Sequence, residues 1–244
     1  MNAPKRTVPT SAIPVYRAAP EAEVVRGAQF YRDTLRAIHA RRQPRVYLEI
    51  GVRHGFSLAL ADAPITLGID PLPELRTQLA GNVRVLAQTS DAFFADAAAA
   101  LLTQPIDLAF IDGMHLFEFA LRDFMNVERF ASPRGVVVLD DVFPNHPLQA
   151  ARERQSGVWT GDVWKILPCL RKYRPELSLI LLDASPTGLL VVTGLDPANT
   201  VLADRYTAIV REFAVDAAMP GDDILARQGA RDPQDERWFE LLDC

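Results

Sequence analysis

At 244 residues, with 49% hydrophobic and 23% charged side chains and a formal net charge of −5, the chain suits one α/β domain with a large core. Its acidity and the lack of a long basic run argue against nucleic acid as a partner, and no apolar run is long enough to span a membrane. The two cysteines, Cys169 and Cys244, make neither a disulfide framework nor a zinc site, which points to a reducing cytoplasm.

The first twenty residues carry four prolines, three basic residues and no acid, without the apolar stretch of a secretory signal. Residues 1–22 are therefore expected to form an N-terminal arm, 23–215 a single domain and 216–244 a tail. From Val24 to Arg42 the apolar positions Ala28, Tyr31, Leu35 and Ile38 have helical spacing. "RVYLEIGV" then reads as a strand, "FSLALADA" as a helix start, "ITLGID" as a second strand and "ELRTQLA" as a helix stopped by Gly81-Asn82. "VRVLAQ", "IDLAFID" and "VVVL" are three further strands. The helix "DAFFADAAAALL" and one striped by Phe117, Leu121, Phe124 and Val127 lie between them. After a long polar connection, "DVWKILPCLRKY" is helical, with Pro168 kinking or delaying it. "LSLILL" and "GLLVVT" follow as a hairpin around "DASPT". Strand and helix alternate, so the predicted fold class is α/β, a doubly wound and mostly parallel sheet whose last strand is antiparallel.

Parallel strands gather their following loops on one edge, where ligands of such sheets bind. Glu49, Asp70, Ser90 with Asp91, Asp112 and the pair Asp140-Asp141 all fall there. The adjacent pair is unexpected, because two neighbouring carboxylates repel and are costly to desolvate without a positive partner. A bound cation is one explanation, and two separate hydrogen-bonding duties are the other. "YLEIGVRHGFS" has the spacing E-x-G-x-x-x-G, whose glycines let the backbone pass close to a ligand. Glu49 would repel a pyrophosphate and suits a ligand bearing an amine or sulfonium, while Asp70 follows at the interval of a ribose-binding acid.

With "LEIGVRHG", "LGIDPLP", "AQTSDAF", "LAFIDGMH" and "GVVVLDDV" in place, the chain resembles the class I S-adenosylmethionine-dependent methyltransferases from Val46 to Thr193. Within that class, the stretch from "FIDGMH" to "VVVLDD" is most similar to the small-molecule O-methyltransferases of the macrocin type, relatives of the metal-dependent catechol type. The resemblance implies a seven-stranded Rossmann-like sheet and S-adenosyl-L-methionine as cofactor. Glu49, Gly51 and Gly55 would surround its methionine part with help from Ser57. Asp70 would hold the ribose, Ser90 and Asp91 the adenine edge, and Asp112 would line the same pocket. Asp112, Asp140 and Asp141 would bind Mg²⁺ or another divalent cation, which takes oxygen ligands.

His115 stands three residues past Asp112, where the catechol type carries a lysine base. It is expected to be the catalytic base or, on the plainer reading, a partner of a neighbouring carboxylate. His39 and His54 read as structural or surface residues. The connection from Phe143 to Lys165 is long for a loop and is expected to act as a lid or substrate wall. Its substrate contacts would be His146, Trp159, Trp164 and Lys165, with Asp162 as a helix N-cap. The implied function is methyl transfer to a hydroxyl of a sugar, polyol or phenolic small molecule by a cytoplasmic enzyme. The alternatives are a metal-independent transferase with His115 as base and a cofactor-binding module without catalysis. Neither nucleic acid nor membrane is an expected partner, and self-association is left open.

Overall fold

Seven apolar runs become one sheet in the computed structural model, which describes residues 19–214 and 218–243. In chain order the strands are β1 Val46–Ile50, β2 Ile65–Asp70, β3 Val83–Ala87, β4 Ile106–Ile111, β5 Ala131–Leu139, β6 Ser178–Leu182 and β7 Leu189–Thr193. Their spatial order is β3-β2-β1-β4-β5-β7-β6. The first five pair in parallel, and β7 runs antiparallel to both β5 and β6. All residues of β1 are buried, as a strand covered on both faces requires.

Helices supply those covers. On one face lie α1 (Tyr31–Arg42), the short turn Leu58–Leu60 and the C-terminal 3-10 segment Glu236–Asp243. They bury Leu35, Ile38, Leu58, Trp238 and Leu242 against Tyr47, Leu108 and Phe110. The other face is packed by α2 (Ser90–Ala92, the π turn Phe93–Ala97 and Ala98–Leu101), α3 (Phe117–Phe130), α4 (Ile166–Tyr173) and α5 (Val201–Phe213). The predicted stripe of α3, Phe117, Leu121, Phe124 and Val127, is fully buried. Each such side chain contributes roughly 1.5–3 kcal/mol. Pro168 falls in the first turn of α4, where a missing N–H costs nothing.

The local readings fail in three places, each for a physical reason. The pattern from Val24 onward is helical only from Tyr31, because Gln29–Phe30 first pairs as a short strand with Ala184–Ser185. Gly27, at φ +133°, permits that approach, since a Cβ there would fall 2.3 Å from the Ser185 nitrogen. "FSLALADA" gives only the 3-10 turn Leu58–Leu60, because the chain must reach β2 within a few residues. "ELRTQLA" forms no helix. Two of its amides go instead to the glycine turn after β1, Glu74 N–H to the Arg53 carbonyl (2.9 Å) and Arg76 N–H to that of His54 (3.1 Å).

Described residues of the expected arm and tail pack against the body. In the turn Pro20–Glu23, Ala22 is fully buried. Near the other end Arg231 bridges to Leu182, and Trp238 is buried. The remaining residues of the expected arm and tail, 1–18, 215–217 and 244, lie outside the described residues. Among the described residues no helix is long and apolar enough to cross a membrane.

Candidate active site

The site is built where the C-terminal ends of β1, β2, β4 and β5 meet. Glu49, next to last in β1, is fully buried. Its carboxylate accepts from the Tyr47 hydroxyl and the Ser57 hydroxyl, each at 2.7 Å. Burial pushes its carboxyl up to about 8 against the pull of those two donors, and Asp112 adds to the rise. Gly51 follows at φ +89°. A Cβ there would lie 1.8 Å from the Asp112 carbonyl oxygen, so only glycine lets β1 and β4 leave the sheet side by side. Gly55, at φ +78°, closes the turn beneath Leu75 and Thr77.

Asp70 ends β2 and fastens two loops. Its Oδ2 accepts from Val52 N–H (3.0 Å) and Arg53 N–H (2.7 Å), and its Oδ1 from Leu72 N–H (2.8 Å). Ser90 and Asp91 open α2 beyond β3, with Thr89 capping the turn through Ala92 N–H. Asp91 is held by Arg122 of α3 through two hydrogen bonds of 3.1 and 2.7 Å.

Asp112, His115 and Asp141 converge, with one ligand atom from each lying within 4.8 Å of the others. His115 Nε2 is 3.6 Å from Asp112 Oδ1, and its Nδ1 is 3.0 Å from Asp141 Oδ2. Nδ1 also lies 2.7 Å from the Trp159 carbonyl, to which it donates, and the Trp159 ring stacks on the imidazole at 5.0 Å. Burial opposes a charge on His115. Asp141, Asp112 and the Trp159 carbonyl outweigh it and push the imidazole up to about 10. The acids on either side thus favour the positively charged form of the ring. A void of about 10 Å³, the size of one water or small ion, is lined by Asp112, Gly113, His115, Asp140 and Asp141 among others.

Asp140, expected as a third ligand, is absent from that converging group. Its Oδ1 accepts from Asp141 N–H (2.8 Å) and from the Thr187 hydroxyl (3.3 Å), and burial, then Asp141 and Asp112, raise it well above the usual carboxylate range. The first of these bonds stabilises Asp141 in the left-handed conformation, φ +64°, which aspartate tolerates better than most residues. The pair therefore divides its duties: Asp141 faces His115, and Asp140 supports the backbone beneath it.

The long connection runs over this edge but brings only part of its expected set to the void. Trp159 is present as the wall behind His115. Lys165 is buried and ion-paired with Asp162 at 2.8 Å. Trp164 is also buried, its indole N–H sealed from solvent. His146 caps the short turn Pro147–Ala150 by accepting Leu148 N–H. Asp162 caps α3 rather than its own turn, accepting Phe117 N–H at 2.7 Å. Gly161, φ +55°, lets the loop pass against His115, whose carbonyl oxygen would be 1.7 Å from any Cβ there.

Two residues at the edge are not singled out by motif spacing. Tyr31, at the start of α1, stacks on Phe110 (6.1 Å). Burial, then the fields of Asp140, Asp112 and Glu49, raise its hydroxyl above the ordinary tyrosine range. Asp123 is a buried acid of α3. Its signal in the sequence is positional, because it stands three residues after Ala120 and four before Val127, on the helix face that packs inward.

Residues 48–142 match the family model described as a methyltransferase domain. Among solved structures the chain is similar to cofactor-bound Rv0187 from MTB, at 19% identity over 68% of this chain and 80% of that one, with a TM-score of 0.54. It is also similar to TomG from Streptomyces achromogenes, an O-methyltransferase involved in tomaymycin synthesis solved with SAM (18% identity, 67% and 78% covered, TM-score 0.50). A third is the O-methyltransferase from Bacillus cereus in complex with SAH (13% identity, 74% and 84% covered, TM-score 0.50). No curated protein matches the chain. Residues 48–142 thus carry a methyltransferase-domain match, and the sheet order is that of the Rossmann-like methyltransferase fold.

Proposed function

We propose that this methyltransferase transfers the methyl group of S-adenosylmethionine to a hydroxyl of a small polyhydroxylated or phenolic molecule, assisted by a divalent cation. The observation that carries this reading is the convergence of Asp112, His115 and Asp141 on a void of ionic size. Asp112 and Asp141 supply carboxylate oxygens of the kind such a cation takes. The oxygen acceptor is favoured by TomG and the Bacillus cereus protein, both O-methyltransferases by name.

On this reading the residues divide as follows. Glu49, Ser57 and the backbone at Gly51 and Gly55 form the methionine end of the cofactor site. Asp70 keeps lone pairs for the ribose hydroxyls beyond its bonds to backbone amides. Ser90 and Asp91 bound the adenine edge. Asp112 and Asp141 offer oxygens to the cation. The bond from Nδ1–H to the Trp159 carbonyl fixes the His115 ring and leaves Nε2 as the nitrogen turned toward the ligands. A divalent cation bound there supplies Lewis acidity that makes an acceptor hydroxyl easier to deprotonate. Trp159 walls the acceptor side, and the half-exposed Met114 lines the void beside it.

The metal-free alternative asks His115 to take the proton unaided. Asp141, Asp112 and the Trp159 carbonyl all favour its protonated form, which disfavours a base acting without metal. The test combines calorimetry of S-adenosylmethionine with a mass-spectrometric screen of catechols, sugars and polyols, each run with chelator and with Mg²⁺. Cofactor binding in both conditions, with methyl transfer only when metal is present, is the expected result. Cofactor that fails to bind refutes the assignment, and turnover indifferent to chelator removes the cation from it.

A further inference from the structure

A second cleft, of about 260 Å³, opens farther along the same edge, beyond the end of β6. Strand β6 is parallel to β5, because β7 runs antiparallel to both. Asp183 therefore leaves the sheet on the side where Asp112 and Asp141 stand. Leu225, Ala226 and Ala230 of the C-terminal segment give the cleft an apolar wall. Its charged lining is uneven, with two arginines, Arg26 and Arg227, against the single carboxylate of Asp183.

The two arginines are held differently. Arg227 is only 9% exposed. Its Nη1 donates to Asp183 Oδ1 (2.6 Å) and to the Ala184 carbonyl (3.2 Å). Its Nη2 donates to Asn145 Oδ1 (2.7 Å) and to the Pro186 carbonyl (2.8 Å), while Nε–H is sealed without a partner. Arg26 is exposed and makes no hydrogen bond or ion pair among the described residues. Burial disfavours the charge on Arg227 and Arg26 opposes it further, so even beside Asp183 the guanidinium is held below the usual arginine range. Arg122, Arg152, Arg174 and Arg237 are all shifted the other way.

One carboxylate thus faces two guanidiniums, one of them buried, and the cleft they line lacks a negative charge. A carboxylate matches a guanidinium fork in charge and in planar geometry, and the apolar wall matches a carbon body attached to it. The volume falls just under the roughly 300–1,000 Å³ of pockets for drug-sized ligands, which sets the scale of a small metabolite. A phosphate would bring more charge toward Asp183 and leave the apolar wall unused. We propose that this cleft binds a small organic carboxylate, with its anionic group drawn to Arg26 and Arg227 and its apolar part on Leu225, Ala226 and Ala230. The proposal stands apart from the methyl-transfer reading, since none of these residues lines the void or the glycine turn.

The test titrates benzoate, its neutral counterpart benzamide and inorganic phosphate into the full chain, followed by protein-observed NMR. Arg26→Gln is compared with Arg84→Gln, which removes an equal charge from β3 at the opposite end of the sheet. Wild-type protein should bind benzoate at least about tenfold more tightly than benzamide, and Arg26→Gln should lose about tenfold in benzoate affinity. Arg84→Gln should stay within about twofold of wild type, because a distant exposed charge is screened. Benzoate that binds no better than benzamide, or that is weakened alike in the two variants, overturns the proposal. Phosphate that binds as tightly as benzoate overturns it too, since the apolar wall would then have no part. If Arg26→Gln does not fold, the wild-type comparison of the three probes decides.

Discussion

The two halves of the ligand-binding edge solve the problem of buried acid in opposite ways. On the β1–β2 side, Glu49 and Asp70 are satisfied by hydroxyls and backbone amides of their own chain. On the β4–β5 side, Asp112 and Asp141 face each other across His115. The first half is finished by folding alone, since neutral donors have already paired its carboxylates. The second calls for a positive charge: the two acids favour the charged form of His115, and on the proposed reading a divalent cation takes that part. A carboxylate placed by amides marks a preformed binding surface; carboxylates placed against one another mark a site that responds to its occupant.

The largest effect should come from the second half. In Asp141→Ala the donor set loses an oxygen ligand, and turnover should fall at least about a hundredfold, because Lewis-acid assistance contributes several kcal/mol. Mg²⁺ at a hundredfold excess over its dissociation constant should stabilise the wild-type protein by roughly 2.7 kcal/mol and the variant by almost nothing. Cofactor affinity should persist, since the proposed cofactor contacts Glu49 and Asp70 lie on other strands. Thermal melts in chelator and in Mg²⁺ check this, and a cofactor affinity that collapses with Asp141 would show the halves to be one unit.

The next effect belongs to the first half and depends on pH. His39 is buried edge-on to Tyr47 at 4.5 Å, and burial lowers its imidazole from 6.5 to about 4. A depressed histidine favours the folded state fully above its unfolded pKa, and that contribution is lost as pH falls from 6.5 to 4. The shift corresponds to roughly 3 kcal/mol. Glu49 has the opposite sign. Raised from 4.5 to about 8, it favours folding at low pH and loses that contribution as pH climbs between those values. Denaturation of wild-type protein and His39→Phe at matched pH isolates the histidine, because Glu49 is common to both. The variant's relative stability should grow steadily from pH 7 to pH 4; parallel curves would mean that His39 is solvated.

Smaller again is the cost of Asp70→Asn. The asparagine oxygen can keep part of the amide clamp on Val52, Arg53 and Leu72, but the charge is gone. Stability and cofactor affinity should each drop by about 1–3 kcal/mol, and they should drop together because on the proposed reading one side chain serves both. Loss of affinity at unchanged melting temperature would show the clamp to be dispensable.

The sequence was legible wherever chemistry is local. Strand ends, the glycine turn and the stripe of α3 follow from short-range pattern, and so does the edge on which the acids gather. Division of labour between Asp140 and Asp141 was not legible, because it depends on Thr187 approaching from the β6–β7 connection and on a left-handed residue inside an apolar run. Lys165 was misleading for a related reason. A lysine beside two tryptophans resembles a substrate contact until Asp162 is seen to bury it. The segment "ELRTQLA" has helical propensity, yet its amides are claimed by a turn twenty residues earlier. Asp123 was hidden in plain pattern, as an acid at a position where α3 should be apolar.

The smallest predicted effect concerns the connection that crosses both halves. Its length suggests a lid, but its bonds describe a fastened wall. Gln149 is fully buried, donating to the Ala22 and Val24 carbonyls (2.9 and 2.8 Å) and accepting from Asn145 N–H (2.8 Å). Glu23 accepts Gly157 N–H and Val158 N–H at 2.7 and 2.9 Å, and Arg227 reaches from the C-terminal segment to Asn145 at 2.7 Å. Amide exchange at residues 149, 157, 158 and 160 should accordingly be slow in the free protein and change little when S-adenosylhomocysteine is added. Glu23→Gln weakens only the charge assistance at one anchor, so exchange at 157 and 158 should quicken while the rest of the wall and the melting temperature stay nearly unchanged. Fast exchange throughout in the absence of ligand, followed by protection on binding, would restore the lid. It would also mean that the β4–β5 half is completed by its occupant in shape as well as in charge.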